Sequence, residues 1–434
     1  MKRKKSDNLY NLDGYVPVGQ AIPFGFQHLL AMFVANITPV MILADTVGLD
    51  EGTTAGLVRN AMIIAGLATV VQVLRLWRIG ARLPMIMGIS FTFLTLSISI
   101  AATFGMDVLI GSVVAGGTVE GVLGLFAKYW RKYVSPLTAA TVVVSIGFSL
   151  LPVGANSFAG GQGTADFGSA DNWITGSVAL AACVVTQVFG NERLRSLSIL
   201  SGLVVGYVLA AVMGKIDYSV IHNVPSVVAL PELMPFHPEF RIGPILSMTA
   251  IFLVSATETI GDTSALAETA LGRNLTSDEL SGSIACDGFA SSLSGLFGCT
   301  PITTFSQNVG LITITKVINR FVISTCAIML MVAGLFPVVG AALTTIPQSV
   351  LGGCSILMFG SVLYAGITML CKCGFNRKNM LIISISLSVG IGFTSVAGMF
   401  GIFPPVVRSV FADNGVAIVF LLSLILDNIM PERE

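Results

Sequence analysis

The chain has 434 residues, 54% of them hydrophobic and 11% charged, with a mean hydropathy of +0.87 and a formal net charge of zero. Soluble domains carry about 25% charged residues, so the composition excludes a soluble globular protein and points to a chain that crosses a bilayer many times. Zero net charge implies no nucleic-acid or acidic partner. Seven Cys lie scattered in apolar stretches beside only three His, and Cys371-x-Cys373 is not a zinc spacing. They read as small apolar fillers, with no metal or other cofactor expected.

The opening stretch MKRKKSDNLYNLDGYVPVGQ is basic but lacks the apolar core of a signal peptide, and reads as a cytoplasmic tail. A membrane-spanning helix needs about 20 apolar residues. That ruler finds clear segments near 22–45, 54–75, 107–127, 136–154, 174–190, 196–214, 243–260, 321–340, 349–370, 379–396 and 415–429. Three stretches are less regular, at 82–102, 280–297 and 301–318, and bring the count to fourteen.

Basic residues alternate with that count. With the N-terminus inside, the inner side receives Lys2, Arg3, Lys4, Lys5, Arg75, Arg78, Arg82, Lys128, Arg131, Lys132, Arg193, Arg195, Arg273, Lys316, Arg320, Lys372, Arg377, Lys378 and Arg433. Only Lys215, Arg241 and Arg408 fall outside, and Arg59 lies within the second segment. The bias predicts both termini in the cytoplasm. The Gly/Ala/Ser-rich stretch 154–172 reads as a flexible outer cap. The proline-containing stretch 218–240 reads as an external linker between halves of seven segments.

The halves share a faint pattern. RLPMIMGISFTF in the third segment has Pro84, a short β-prone run, then Ser90-Phe91. CTPITTFSQNVG in the tenth has Pro301, a short β-prone run, then Ser306-Gln307. Seven is odd, so the halves are expected to be inverted, with both breaks lining a midplane cavity. An extended run that enters a half-helix also leaves free N–H groups at the helix start.

Ionisable residues within spans are costly and usually functional. Glu258 and Asp262 are four residues apart, which puts them on one helix face. Asp262 has the alternative of a solvated place near a helix end. Asp287 stands among Gly282, Ala285, Gly288, Ala290, Ser291 and Gly295, a close-packing surface, and either supports the site or only holds a broken span. His28 either carries protons or holds a polar partner in place. Glu120 has no assigned role. Phe91 either faces lipid and core or offers a flat ring for stacking. Gln307 and Asn308 carry both donors and acceptors. Together with Glu258 and Phe91 they suit a neutral, planar molecule with an amide edge, such as a nucleobase.

Gln307-Asn308-x-Gly310-x-x-x-x-Thr315-Lys316 matches the signature [QEP]-N-x-G-x-x-x-x-T-[RKG], and ETIGD, QHLLAMF and GISFTF occur in the matching order. On these motifs the chain resembles the nucleobase/ascorbate transporters (nucleobase:cation symporter-2), in their xanthine/urate branch. The resemblance implies an all-α polytopic fold of fourteen spans in a 7+7 inverted repeat. It implies a core domain (15–130 and 242–344), a gate domain (131–216 and 345–430), a homodimer, and proton-coupled, elevator-like uptake in a bacterial plasma membrane. It implies that Glu258 and Gln307 hold the base and that Phe91 stacks on it, with Ser90 and Ser306 also substrate-binding and backbone N–H groups near Phe91 and Ser306 helping to hold the base. Asp262, Asp287, His28 and Asn308 are implied as coupling or supporting residues. Gln at 307 and Asp at 262 favour a purine over uracil, with Thr257 and Ser306 able to retune the site. A sulfate-type anion carrier and an intramembrane hydrolase are the weaker alternatives. The first usually adds a cytoplasmic domain, and the second lacks a partner for the Gly-Asp of IGDTS.

Overall fold

The computed structural model describes residues 5–161, 163–195, 197–222, 224, 226–396, 398–412 and 414–430. Lys2, Arg3, Lys4 and Arg433, assigned above to the inner side, lie outside the described residues. Fourteen helices of ten residues or more occur among the described residues: α1 Val18–Thr46, α2 Glu51–Leu74, α3 Leu94–Phe104, α4 Met106–Leu125, α5 Pro136–Phe158, α6 Ala170–Phe189, α7 Ser198–Val212, α8 Ile242–Leu271, α9 Ser277–Leu296, α10 Ser306–Thr315, α11 Arg320–Gly334, α12 Gln348–Cys373, α13 Arg377–Thr394 and α14 Gly415–Ile429. Two three-residue strands, β1 Met87–Ile89 and β2 Ile302–Thr304, precede α3 and α10. Each of the predicted segments overlaps one of these helices or a strand running into one, with the differences in extent given below. The protein is a multi-pass membrane protein. Among the described residues, α1, α2, α4, α5, α6, α8 and α12 are long and apolar enough to cross a bilayer.

Polar caps start many of these helices. Asp50, Ser135, Ser169, Thr276, Asn376 and Asn414 each accept from a backbone N–H of the first turn of the helix they precede, satisfying donors that a helix start leaves unpaired. Pro136 adds a preset φ at the first position of α5.

Three boundaries differ from the sequence reading. α8 runs on to Leu271, so Asp262 is mid-helix and the helix-end alternative falls. The predicted segment 321–340 is not one helix. It breaks at Leu335–Phe336, before Pro337, and a short helix Pro337–Thr344 leaves at 82°; the residue before a proline is pushed out of the helical region. The outer cap is shorter than predicted, because α5 extends to Phe158 and α6 begins at Ala170. What remains is tied rather than loose. Gly168 N–H donates to Ala159 O at 2.8 Å, and Asn172 Nδ2 donates to Asp166 O at 2.8 Å.

Helix pairing has an internal order. α4 lies along α9, α2 along α11, α1 along α11 and α8 along α4; separately, α5 lies along α12, α6 along α7 and α13 along α14. Exchanging helix n with helix n+7 turns each of these pairs into another of the set, or into itself. The pairs fall into two groups, α1–α4 with α8–α11, and α5–α7 with α12–α14. Within the first group α4 and α9 meet backbone to backbone: a Cβ on Gly124 would lie 2.7 Å from Ala285 Cα, and one on Gly288 would lie 2.6 Å from Gly117 O. Small residues permit this approach without a hydrophobic driving force between helices.

The stretch 218–240 links the halves but is bound to the first group rather than free. Asn60 Nδ2 donates to Glu232 O and Phe297 O, and Arg59 reaches Ala229 O and Leu230 O. At the other end, Asn319 Nδ2 donates to Asn8 O, Asn11 O and Gly14 O, which docks the N-terminal segment on the α10–α11 turn.

Candidate functional site

The two strand-to-helix breaks meet. β1 and β2 pair antiparallel in the register Met87↔Thr304, Gly88↔Thr303 and Ile89↔Ile302. Ser90 N–H donates to Pro301 O and Phe305 N–H to Ile86 O, both at 2.9 Å. A two-strand ribbon leaves outer-edge groups unpaired, which bilayer interiors do not tolerate. Buried side chains supply the missing partners: Ile89 N–H donates to Asn36 Oδ1, Met87 N–H to Thr69 Oγ1 and Ile302 N–H to Ser291 Oγ, each at 2.9 Å. Gly88 is required here, because a Cβ would come within 2.8 Å of Asn36 Oδ1 and against the Phe305 ring.

Beyond the strands the chain turns into two helices. A short 3-10 turn, Phe91–Phe93, leads into α3, and Ser90 Oγ accepts from Thr92 N–H at 3.2 Å. α10 begins directly at Ser306, and its N-cap Phe305 has no side-chain cap. The first-turn N–H groups of α10 have no acceptor within the helix.

Both helix starts line one cavity of about 690 Å³, a size usual for small-ligand sites. Ser90, Phe91, Glu258, Asp262, Ser306 and Gln307 all line it. The Phe91 ring meets the buried Phe359 ring of α12 edge to face, with centroids 5.1 Å apart at 79°. Glu258 Oε2 accepts from Thr92 Oγ1 at 2.8 Å. One turn on, Asp262 accepts from Thr304 Oγ1 at 3.1 Å and from Ser306 Oγ at 2.7 Å. Gln307 has no hydrogen-bond partner among the described residues, so its donors and acceptor remain available to a ligand. The cavity continues to Glu268 on α8 and to Lys372 and Cys373 on α12.

Three predicted residues stand behind this surface. Asn308 turns away from Gln307, and its Nδ2 lies 3.0 Å from His28 Nδ1 and 3.1 Å from His28 O. His28 Nδ1 therefore accepts, which leaves its proton on Nε2. Asp287 is fully buried and does not line the cavity. Its Oδ2 accepts from Thr259 and, at 3.1 Å, from Thr303, the middle residue of β2. Four contributors escaped the sequence reading: Thr92, Thr303, Thr304 and Asn36. The Thr doublet beside the signature and the Thr following Phe91 were the available signals. Asn36 gave none, since only the fold brings it to Ile89.

This geometry can be set beside known proteins. The family model Xan_ur_permease, described as a permease family, matches residues 19–399. The chain belongs to the nucleobase:cation symporter-2 family of permeases. It is 35% identical over 418 residues to the uric acid permease PucK of Bacillus subtilis, covering 96% of both chains. It is 34% identical to the xanthine permease of Bacillus subtilis, covering 92% of this chain and 91% of that one. It is also 34% identical to the xanthine permease XanQ of Escherichia coli K12, covering 98% and 94%. Among solved structures, the transmembrane domain of the cyanobacterial bicarbonate transporter BicA matches with a TM-score of 0.61 at 17% identity, covering 93% of this chain and 98% of that one. Murine Slc26a9, an anion transporter in the inward-facing state, matches with a TM-score of 0.66 at 12% identity, covering 98% and 70%. These two likenesses establish the fold alone.

Proposed function

We propose that this permease takes up a purine nucleobase, xanthine first and urate next, together with a proton, across a bacterial plasma membrane. The observation that carries the proposal is the convergence of Phe91, Glu258 and Gln307 at two helix starts in one cavity. A flat ring offers a stacking face. An acid and a carboxamide with free valences offer an acceptor for a ring N–H and a donor–acceptor pair for an amide edge. Three acids lining the cavity, Glu258, Asp262 and Glu268, oppose a dianion such as sulfate more strongly than a planar purine, so the anion-carrier fold of the structural neighbours does not extend to their cargo.

The finer architecture belongs to the same reading. Fourteen spans in a 7+7 inverted repeat account for the pairing pattern under exchange of n with n+7. The two packing groups fit a core of α1–α4 and α8–α11 and a gate of α5–α7 and α12–α14. The cavity is lined from the first group by Phe91, Glu258 and Gln307 and from the second by Val143, Ser361 and Met369. Its far end carries Lys372, near Arg377 and Lys378 in the chain, which under the positive-inside rule is the cytoplasmic end. An elevator-like movement of the core against a dimeric gate would then carry the ligand across.

The test is thermal stabilisation of the purified protein by xanthine, urate, uracil, hypoxanthine, guanine and sulfate. A ligand of the folded state raises its apparent stability by mass action. Stabilisation by xanthine or urate that Gln307→Ala removes is expected. Stabilisation only by uracil, or only by sulfate, refutes the purine reading. Proton coupling is tested separately: uptake that ignores both pH and a protonophore refutes it.

A further inference from the structure

Among the described residues, Glu120 is a buried acid of the core group that neither lines the cavity nor hydrogen-bonds the paired strands. It is 1% exposed, and neither of its carboxyl oxygens has a hydrogen-bond partner among the described residues. Its place in α4 is set by its neighbours. Gly116 abuts Phe252 of α8, Gly117 abuts Gly288 and Ser292 of α9, and Gly121 abuts the Phe289 ring of α9. Glu120 therefore occupies the junction of α4, α8 and α9. Gly117 and Gly121 also lie against Gly288 of α9, so the neighbouring Asp287 is the adjacent acid, with Glu258 and Asp262 of α8 beyond it. Cys286 of α9 is the remaining titratable neighbour of that pair. α3, the other helix on α4, contains no ionisable residue. Asp287 Oδ1 is likewise buried without a partner.

Ionising both carboxyls, with three unpartnered oxygens on them, is strongly disfavoured here, because a buried charge without a donor is costly. A single proton held by the pair removes that cost. Thr303 connects the pair to the cavity, since it lines the cavity and its hydroxyl reaches Asp287. Building on the proposed proton-coupled function, we propose that Glu120 and Asp287 together hold the coupling proton behind the binding surface, with Glu120 as its storage residue. A hydronium ion in the cavity gives a proton to Thr303 Oγ1, leaving water, as Thr303 passes its own proton to Asp287 Oδ2. The resulting carboxylic acid shares its proton with Glu120. With the proton lost, the pair is doubly negative inside the helix junction, and the core does not move. Geometry for a divalent metal is lacking: no three His, Cys, Asp or Glu among the described residues are grouped to hold one.

The experiment uses the full-length protein in proteoliposomes, as wild type, Glu120→Gln and Glu120→Asp. Glu120→Gln is expected to keep xanthine-induced stabilisation and xanthine counterflow. It should lose accumulation driven by an inward proton gradient, and its uptake should no longer vary with pH; Glu120→Asp should restore part of both. Gradient-driven accumulation and a pH profile equal to wild type in Glu120→Gln would overturn the inference, as would loss of binding and counterflow with the coupling. Accumulation driven by a sodium gradient at constant pH would overturn it too. Wild type that neither binds nor exchanges any purine would instead remove the underlying functional reading. Should Glu120→Gln fail to fold, labelling of wild type with dicyclohexylcarbodiimide decides. Mass spectrometry should find Glu120 labelled in acid buffer and protected in alkaline buffer; no label at either, or equal label at both, refutes proton storage.

Discussion

The two strand-to-helix breaks have the same backbone plan and different chemistry. Each has a proline, three extended residues and a helix start, and the strands pair with one another across the register Gly88↔Thr303. The first break is the more apolar one. Ser90 caps its own turn, and Phe91 presents a ring. The second is polar and open. Its strand carries Thr303 and Thr304, which donate to Asp287 and Asp262, and its uncapped helix starts with Ser306 and Gln307. Under the proposed function, one plan would supply a stacking face from one half and a hydrogen-bonding edge from the other. Backbone geometry is shared because pairing demands it, whereas side chains aimed at the cavity are free to differ.

The comparison predicts effects of decreasing size. Glu258→Gln removes the charged acceptor that Thr92 of the first break donates to and that faces the cavity. Uptake should fall by roughly 100-fold, since a hydrogen bond to a charged group is worth up to about 3 kcal/mol; transport assays on protein quantified in the membrane check this. Gln307→Ala strips the edge from the second break. Two neutral hydrogen bonds at about 1 kcal/mol each predict roughly a 30-fold weaker Kd, read by titration with xanthine. Gly88→Ala attacks the plan common to both breaks. Overpacking against Asn36 and Phe305 should cost about 1–3 kcal/mol, read as a lower Tm without ligand. Phe91→Ala touches only the stacking face. About 1 kcal/mol of ring–ring interaction predicts a roughly fivefold weaker Kd, restored by Phe91→Tyr. Ser90→Ala should have the smallest effect. It removes a cap worth about 1 kcal/mol from the first break, with a lower Tm and substrate choice unchanged.

The sequence by itself determined much of this protein. An apolar chain with few charges is not stable as a soluble fold, so its apolar segments and their polar interruptions were legible from length and hydropathy. Periodicity placed Glu258 and Asp262 on one face, and proline followed by a β-prone run marked both breaks. What it left undecided were relations between distant residues. Asn36 reaches Ile89 and Thr92 reaches Glu258 only because the helices cross where they do. The adjacent carboxamides Gln307 and Asn308 looked alike in the sequence, yet successive positions on a helix point about 100° apart. One therefore faces the cavity and the other holds His28. Glu120 is the clearest case. Nothing local distinguishes a lone acid in a glycine-rich helix, and its environment exists only where α4, α8 and α9 close around it. Composition and periodicity act along the chain, so they fix what must be buried; which buried polar groups meet is decided by packing in three dimensions.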